Sequence, residues 1–408
     1  MNGAGGLSTL LASSGLAWLE SLGPQLIRPG LGRTRALLAS LGNPQSSFQS
    51  ILIGGTNGKG STAAFISAIL TAADVPCGLY TSPHLQSVRE RIRVNERDVS
   101  PETLDGVLAL VSRVAAPGVR GPTYFEALTV AAFELFRRAR VSVAIVEVGI
   151  GGRLDATNVL SPDVSIVTNV GADHLDVLGP ALEDVAREKA GIFRKGQPAL
   201  LGASGTGEGP REVLHAEARR IGARLVEIPP AADAILSLPG AHQRQNLALA
   251  LAAARAVAPL DEAAVECGLA AVRWPGRLQW LEREGARPLL LDGAHNPSGA
   301  SALAEHLDVT GLSGRVDLLF GGLADKDLPG VFEPLAARAS RIVLVAPESP
   351  RAEKPEALRA RLGRPDLETA GSVAEGLARF EEAGSDGPVL VAGSLYLVGE
   401  VLRLRSRA

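Results

Sequence analysis

The chain has 408 residues, of which 46% are hydrophobic and 21% charged, with a formal net charge of -3. This length predicts two or three domains, and the near-neutral charge gives no general attraction to nucleic acid or anionic membrane. The lone Cys77 and Cys267 form neither a disulfide framework nor a zinc pattern, and no apolar run approaches the ~20 residues that span a bilayer. No basic-then-apolar signal segment opens the chain. We therefore expect a cytoplasmic, monomeric protein with small-molecule substrates and with neither nucleic acid nor membrane as a partner.

Short β-branched runs alternate with alanine-rich stretches, which predicts an α/β fold with mostly parallel strands. The predicted strands of the first half are 50–54, 76–80, 141–148, 164–169, 198–202 and 224–228. The predicted helices between them are 61–73, 123–139, 183–190, 211–221 and 243–258. A second series comprises strands 288–292, 316–320, 341–346 and 388–392, with helices 297–307, 329–338 and 395–404. The pattern breaks near 280–287, so we place the division between a domain of residues 1–284 and a smaller one of residues 285–408.

The most informative motif is ILIGGTNGKGST at residues 51–62, an apolar strand that runs into a glycine-rich turn and a helix. Small residues let backbone N–H groups close around phosphate oxygens at the positive end of the helix. Lys59 is expected to reach the terminal phosphates, and Ser61 or Thr62 to touch magnesium. Ile53 stands where the usual phosphate loop has its first glycine. The motif therefore predicts a variant nucleoside-triphosphate site.

Two segments before the middle of the chain allow two interpretations each. The arginine-rich RERIRVNER at 89–97 is either an attraction site for an anionic substrate or a solvated hairpin edge. Thr123 and Glu126 have capping-box spacing, which explains both residues without a ligand. Tyr124 and Phe125 at the same helix start are either core residues or a stacking surface for a flat ring.

The segment VSVAIVEVGIGGRLDATN at 141–158 combines a buried strand with a charged residue near its end. Glu147 is the carboxylate concerned, and an unpaired buried carboxylate is costly, so a metal or cationic partner is expected. An ordinary salt bridge is the alternative. The glycines that follow do not make a dinucleotide fingerprint, because Leu154 stands at its last glycine position.

Two further side chains in the first half are ambiguous when judged by spacing. His174 follows a predicted strand and is either a structural hydrogen-bonding residue or, with Asp173 and Asp176 beside it, part of a hard-cation site. Lys189 lies on a predicted helix among acidic residues, where spacing alone indicates a surface lysine in helical ion pairs. Only five of the 41 basic residues are lysines, so each lysine kept in this arginine-rich chain is informative.

In the second half, three polar loops follow predicted strands, at 289–300, 321–327 and 392–400. The first contains Asp292, His295 and Asn296, and Pro297 then begins a helix. Loops at the carboxyl ends of strands are where α/β proteins bind ligands, so these three loops predict a binding face.

Together these strings resemble the folylpolyglutamate synthase and dihydrofolate synthase family of the Mur ligase superfamily. The resemblance is carried, in family order over nearly the whole chain, by LGNPQ (41–45), GTNGKGS (55–61), YTSPHL (80–85), RERIRV (89–94), TYFE (123–126), EVGIGGRLDATN (147–158), DHLDVLG (173–179), REKAGIF (187–193), PGR (275–277), DGAHNP (292–297), LADKD (323–327) and GSLYLVGE (393–400). It implies a P-loop-containing ATPase domain over 1–284, a Rossmann-like ligase domain over 285–408 and an active site between them.

The implied reaction is ATP-dependent ligation of L-glutamate to dihydropteroate and to tetrahydrofolate polyglutamates. The γ-phosphate moves to the acceptor carboxylate, and glutamate attacks the acyl phosphate, so that ADP and phosphate leave. A monofunctional folylpolyglutamate synthase is the first alternative. A P-loop ATPase switch without ligase activity is the second, although the guanine-specificity motif of GTPase switches is missing.

The resemblance also implies roles for individual residues. ATP would be bound by Thr56, Asn57, Gly58, Lys59, Gly60, Ser61, Asn246, Arg277, Asp292 and His295. Ser82 and Glu147 would bind one magnesium ion and His174 a second, beside a carbamylated Lys189. Lys189 and Lys59 would be the catalytic residues. The pterin or folate would be bound by Thr123, Tyr124, Phe125, Glu126, Leu154, Asp155 and Ala156. Ser394 would contact glutamate. The loop IRPGLGR at 27–33 departs from the family pattern, which puts the dihydropteroate site in question.

Overall fold

The structure is a computed structural model of the chain, and it describes residues 14–23, 26–115, 121–232, 237–283, 285–381 and 387–406. In these ranges the strands form two sheets, each with helices packed on both faces. The predicted α/β class with two series of strands and helices is confirmed.

The strands of the first sheet are β1 Gln49–Gly54, β2 Cys77–Tyr80, β3 Ile92–Val94, β4 Arg97–Asp98, β5 Val143–Glu147, β6 Val164–Val167, β7 Pro198–Gly202 and β8 Arg224–Ile228. In space they lie in the order β4-β3-β2-β5-β1-β6-β7-β8. The strands from β2 to β8 in this order run parallel, and β3 and β4 form an antiparallel edge. Along β1, Leu52 packs into one core and Ile51 and Ile53 into the other, as expected for a strand buried on both faces.

The helices of this first unit are α1 Gly15–Ser21, α2 Gly32–Ser40, α3 Lys59–Ala72, α4 Pro101–Val114, α5 Tyr124–Ala139, α6 Leu175–Leu178, α7 Leu182–Ala190, α8 Glu208–Ile221, α9 Gln243–Val257 and α10 Glu262–Ala271. α3, α9 and α10 cover one face of the sheet, and α1, α2, α4, α5, α7 and α8 cover the other. None of the helices in the described ranges is both long and apolar enough to span a bilayer.

The second sheet contains β9 Gln279–Arg283, β10 Ala286–Leu291, β11 Val316–Phe320, β12 Ala339–Leu344, β13 Glu368–Thr369 and β14 Val389–Ala392, in the order β13-β12-β11-β14-β10-β9. Its helices are α11 Pro297–Val309, α12 Leu328–Ala336, α13 Pro355–Arg361, α14 Val373–Glu381 and α15 Leu395–Ser406. α11, α12 and α13 pack on one face, and α14 and α15 on the other. The loops at the carboxyl ends of β10 and β11 contact those of β1 and β6, so the binding edges of the two sheets meet.

Two sequence-based expectations can be compared directly with this fold. The division at 284/285 would separate β9 from β10, but these strands pair antiparallel in one sheet, so the second sheet begins at β9. The segment 89–97 is a hairpin at the sheet edge, as one of its two interpretations proposed.

Candidate active site

The phosphate loop is shaped by glycines that no other residue could replace without strain. β1 ends at Gly54 and α3 begins at Lys59, with Gly58 between them at a φ of +82°. A Cβ added at Gly58 would lie 2.3 Å from Oδ1 of Asn246, far inside van der Waals contact. The left-handed backbone and the close approach of α9 therefore both require glycine at this position.

Hydrogen bonds from neighbouring residues and from Lys59 hold the loop in place. Oδ1 of Asn169 accepts hydrogen bonds from the backbone N–H groups of Thr56 at 3.3 Å and Asn57 at 3.0 Å. The ammonium of Lys59 donates back to the carbonyl oxygens of Gly55 at 3.2 Å and Thr56 at 3.0 Å. The lysine thus lies over the turn, where the terminal phosphates of a nucleotide would be placed.

Glu147 ends β5 beside this loop as a buried carboxylate. It accepts a hydrogen bond from the backbone N–H of Ser82 at 3.1 Å. Burial raises its pKa above the ordinary value, although the nearby charges of Lys59 and Arg277 oppose that shift. A carboxylate that is 5% exposed, with cations nearby but no ion pair to another described residue, is a strong candidate to bind a metal ion.

A second cluster joins the two domains. The Lys326 ammonium lies 2.5 Å from Oδ1 of Asp173 and 3.2 Å from Nε2 of His174. Nε2 of His295 lies 3.8 Å from Oδ2 of Asp173. Burial acts to raise the pKa of Asp173, but His174, Lys326 and His295 together hold it well below its ordinary value. Asp176 remains on the surface and does not join the cluster.

Lys189 is not the surface lysine that spacing alone indicated. It is 3% exposed on α7 and faces the phosphate loop, and no hydrogen bond or ion pair links its ammonium to another described residue. Burial, together with the charge of Lys59, lowers its pKa from 10.5 to about 7. A substantial fraction of this amine is therefore neutral and nucleophilic near neutral pH.

One cavity of about 390 Å³ unites the residues expected to bind nucleotide and metal. It is lined by Thr56, Asn57, Gly58, Lys59, Gly60, Ser61, Ser82, Glu147, His174, Lys189, Asn246, Arg277, Asp292 and His295. The structure thus brings together, from both domains, every residue of these two predicted groups. Asn246, expected at the adenine, packs against the phosphate loop and donates to Oε1 of Gln243 at 2.9 Å.

An adjoining cavity of about 410 Å³ contains the residues expected to bind the acceptor. It is lined by Thr123, Tyr124, Phe125, Glu126, Leu154, Asp155, Ala156 and Ser394. Residues 26–30, from the loop whose sequence departs from the family pattern, complete the lining. The Phe125 ring stacks on Tyr80 with 5.9 Å between centroids, which fixes an aromatic wall. Both cavities include Ser82, His174 and His295 in their linings, so the two meet at these residues.

Comparison with known proteins agrees with this architecture. The family model for the Mur ligase middle domain matches residues 53–201, and the Mur ligase, glutamate ligase domain matches residues 276–395. The dihydrofolate synthase/folylpolyglutamate synthase of Escherichia coli is 35% identical over 96% of this chain and 95% of its own length. The chain therefore belongs to the folylpolyglutamate synthase/dihydrofolate synthase family of Mur ligases.

Further members of this family resemble the chain in sequence and in structure. A probable bifunctional folylpolyglutamate synthase/dihydropteroate synthase of Halobacterium salinarum is 37% identical over 95% of this chain, which spans only 51% of that relative. E. coli FolC in complex with DHPP and ADP superposes with a TM-score of 0.86 at 32% identity, covering 97% of this chain and 98% of FolC. A bifunctional folylpolyglutamate synthase/dihydrofolate synthase with Mn, AMPPNP and L-glutamate bound gives the same TM-score at 30% identity, covering 97% and 98% of the two chains.

In this family member the capping residues of α5 do more than begin a helix. The Thr123 hydroxyl accepts from the Glu126 N–H at 3.2 Å, and the Glu126 carboxylate accepts from the Thr123 N–H at 2.7 Å, so the capping box is confirmed. The same carboxylate pairs with Arg33 at 2.9 Å. Glu126 therefore ties the first turn of α2 to the acceptor cavity, a link that the sequence did not reveal.

Sequence reasoning also missed the contacts by which the two domains close over the phosphate loop. Nδ2 of Asn57 donates to Ser298 at 2.7 Å and to Oδ1 of Asn296 at 3.1 Å, and Asn296 donates back to Oδ1 of Asn57 at 2.9 Å. Lys326 was recognisable as one of the few lysines and as part of the predicted binding loop 321–327, but not as a partner of Asp173. Nothing in the sequence indicated that Trp274 would pack against Gly60, 3.0 Å from where a Cβ would lie.

The donors around Glu147 fit a magnesium ion. A carboxylate and a serine hydroxyl are hard oxygen ligands, and magnesium usually keeps several waters or phosphate oxygens in addition. No group of three or more His, Cys, Asp or Glu side chains able to hold a metal occurs in the described part of the chain. At His174 the fit is conditional, because the Lys326 ammonium faces its Nε2 and must withdraw before a second cation binds.

Proposed function

We propose that the protein is an ATP-dependent ligase that joins L-glutamate to dihydropteroate and to reduced folates, giving ADP and phosphate. The observation that carries this proposal is the junction of a phosphate-binding cavity with an aromatic-walled cavity at Ser82, His174 and His295. A carboxylate at the inner end of the second cavity would meet a γ-phosphate in the first. The bifunctional names of family members support both acceptors.

The chemical problem is that a carboxylate is a poor electrophile until one of its oxygens becomes part of a phosphate leaving group. The backbone N–H groups of the phosphate loop and the Lys59 ammonium would bind the β- and γ-phosphates and stabilise the charge that develops during transfer. Arg277, which lines the same cavity from the domain junction, would add a second cation. The acyl phosphate that results is then attacked by the amine of glutamate.

Magnesium, when bound, would neutralise phosphate charge and orient the γ-phosphate toward the acceptor. Ser82 and Glu147 would hold one ion, and His174 a second once Lys326 has withdrawn. The manganese in a structure of a family member supports a divalent cation in this role.

Lys189 would act in this site as a carbamate. Its buried amine, with a pKa of about 7, can add CO₂ and lose a proton, which converts a cation into a carboxylate-like group beside the phosphate loop. Such a group offers oxygen ligands to a cation at His174. It would also remove the unfavourable contact between the charges of Lys189 and Lys59.

Glutamate would bind at the interface between the two domains. Ser394 is 2% exposed, lines the acceptor cavity and accepts the backbone N–H of Tyr396 at 3.1 Å. Its hydroxyl proton remains available to a glutamate carboxylate. His295 borders both cavities and is the second candidate, for glutamate or for ATP.

The loop 27–33, which departs from the family pattern, supports the alternative of a monofunctional folylpolyglutamate synthase. The activity with dihydropteroate therefore has to be tested. Residues 27–30 line the acceptor cavity, and Gly30 has a φ of +127° and donates to the Leu154 carbonyl at 3.3 Å. A change in this loop would weaken binding at the pterin end of the cavity, which every acceptor uses. Dihydropteroate lacks the glutamate of a folate, so it would have fewer other contacts to compensate for weaker pterin binding.

The deciding experiment measures glutamate-dependent ADP release with magnesium, comparing dihydropteroate and tetrahydrofolate as acceptors. Turnover with both establishes the bifunctional ligase, and turnover with tetrahydrofolate alone establishes the monofunctional enzyme. ADP release that requires neither glutamate nor acceptor would instead indicate an ATPase switch.

We also propose that the enzyme works as a monomer in the cytoplasm. The cavities are formed within one chain, and the two cysteines are both free, one buried and one exposed. Light scattering at micromolar concentration tests the monomer, and a dimer mass would contradict it.

A further inference from the structure

Arg91 is the charged residue of the acceptor cavity whose role the proposed reaction does not explain. It lies in the arginine-rich RERIRV segment, at the end of the turn that precedes β3, and lines the acceptor cavity. It is half-buried, and no carboxylate of the described residues pairs with it. A half-buried cation that forms no ion pair with a described carboxylate and lines a ligand cavity indicates that the ligand supplies the counter-ion.

The other cationic side chains that line this cavity are paired with carboxylates or exposed to solvent. Arg153 pairs with Glu188, Arg351 with Asp325, and Lys326 with Asp173. Arg28 is exposed on the loop before α2. Arg91 is thus distinguished from them by being both sheltered and without an acidic partner among the described residues.

Two neutral groups fix the position of Arg91. Its Nε–H donates to Nδ1 of His84 at 2.9 Å, so Nδ1 is an acceptor and that imidazole is neutral. Its guanidinium carbon lies 5.6 Å from the centre of the Tyr124 ring. These contacts orient the guanidinium without neutralising it, and no described residue accepts a hydrogen bond from its two terminal nitrogens. The terminal N–H groups form the planar fork that binds a carboxylate bidentately.

The carboxylate bound there is not the one that reacts. Arg91 lines the acceptor cavity but not the nucleotide cavity, whereas the reacting oxygen must lie against the γ-phosphate. A bidentate arginine would also draw charge from a carboxylate that has to act as a nucleophile. The occupant therefore carries a second carboxylate, separate from the reacting one.

We infer that Arg91, positioned by His84 and Tyr124, binds a non-reacting carboxylate of a substrate, an inference that rests on the ligase function proposed above. Two substrates carry such a group. The terminal glutamate of a folate has an α-carboxylate beside its reacting γ-carboxylate, and the incoming glutamate has carboxylates that are not attacked. Dihydropteroate has only its reacting carboxylate, so it serves as an internal reference.

The test is the Arg91→Gln variant, with KM measured separately for tetrahydrofolate, dihydropteroate, glutamate and ATP. We expect a rise of about 10- to 100-fold in one KM, the size of a lost charged hydrogen-bond pair. A rise for tetrahydrofolate alone identifies the acceptor's α-carboxylate. A rise for glutamate with either acceptor identifies the incoming amino acid. In both cases the KM values for dihydropteroate and ATP stay within about twofold of wild type.

Two controls keep the inference falsifiable. The surface variant Arg220→Gln removes an arginine that pairs with Glu217 on α8, and it should change none of the four constants. Arg91→Lys keeps the positive charge but loses the planar pair of terminal N–H groups, so the KM that rises in Arg91→Gln should rise less in this variant. If Arg91→Gln does not fold, Arg91→Lys takes its place in the test. Unchanged constants in both variants, or equal losses for all four substrates, would overturn the inference. If wild type turns over neither acceptor, the proposed function fails and this inference fails with it.

Discussion

At the scale of single residues, the burial of the Lys189 ammonium opposes stability. Its folded pKa of about 7 lies below the ordinary 10.5, so the unfolded chain binds more protons between these values. The unfavourable contribution of Lys189 is therefore complete below about pH 7 and fades as the pH rises toward 10.5. We expect Lys189→Met to be more stable than wild type at pH 6, with the difference narrowing by pH 9. Urea unfolding at the two pH values measures it, and parallel pH profiles would contradict it.

The same residue provides a test of the carbamate. We expect Lys189→Ala to lose at least about 100-fold in turnover, because the oxygen ligands beside the phosphate loop are gone. A short carboxylic acid such as acetate should partly restore the rate by filling the space with a carboxylate. Steady-state ADP release with and without acetate measures both effects. Wild-type turnover in this variant would refute a catalytic carbamate.

The Asp173–Lys326 pair joins the two domains, and its side chains are 10% and 9% exposed. Lys326→Met leaves a buried carboxylate without its partner, so we expect a loss of about 3–5 kcal/mol in unfolding free energy. Adding Asp173→Asn to this variant should recover most of that loss. Arg220→Met, which breaks the exposed pair with Glu217, should cost less than about 1 kcal/mol. Urea denaturation compares these variants with wild type, and a double variant no more stable than Lys326→Met would show that the two charges do not interact.

At the scale of elements, the phosphate loop depends on close approach between α3 and α9. Gly58→Ala combines a left-handed backbone with a Cβ 2.3 Å from Asn246, so we expect ATP binding to weaken at least about 30-fold. Gly196→Ala is the matched control, because Gly196 has a φ of +74° but no atom within 4 Å of the added Cβ. Calorimetric titration with ATP should show normal affinity in the control. Normal affinity in both variants would mean that the loop does not bind the nucleotide.

The elements also show what the sequence could predict. Strands such as β1 and β7 were recognisable because both of their faces are apolar, which is a local property. β9 was missed because QWLER carries two charges and becomes a strand only by pairing with β10 at the sheet edge. α4 was not predicted, although Ser100 as N-cap and Pro101 in the first turn are a local signal for the start of a helix.

At the scale of the whole molecule, the site forms only when the two sheets face each other. The phosphate loop and Glu147 could be predicted because a strand, its charge and its loop are contiguous in sequence. The Asp173–Lys326 pair spans 153 residues of sequence and Asn57–Ser298 spans 241, so no local pattern could reveal them. The inward position of Lys189 likewise follows from the packing of α7 against the first sheet, not from its acidic neighbours.

Domain closure itself can be tested at Ser298, which contacts the phosphate loop from the opposite domain. Ser298→Ala removes the 2.7 Å hydrogen bond from Asn57, worth about 0.5–1.5 kcal/mol, so we expect kcat/KM for ligation to fall about 2- to 10-fold. Amide hydrogen exchange of residues 55–61 should also become faster, because the closed state is less populated. The control is Ser301→Ala on the exposed face of the same helix, where the hydroxyl bonds only to the Pro297 carbonyl among the described residues. Equal exchange in the two variants would mean that closure is held by other contacts, with the Asp173–Lys326 pair the first to examine.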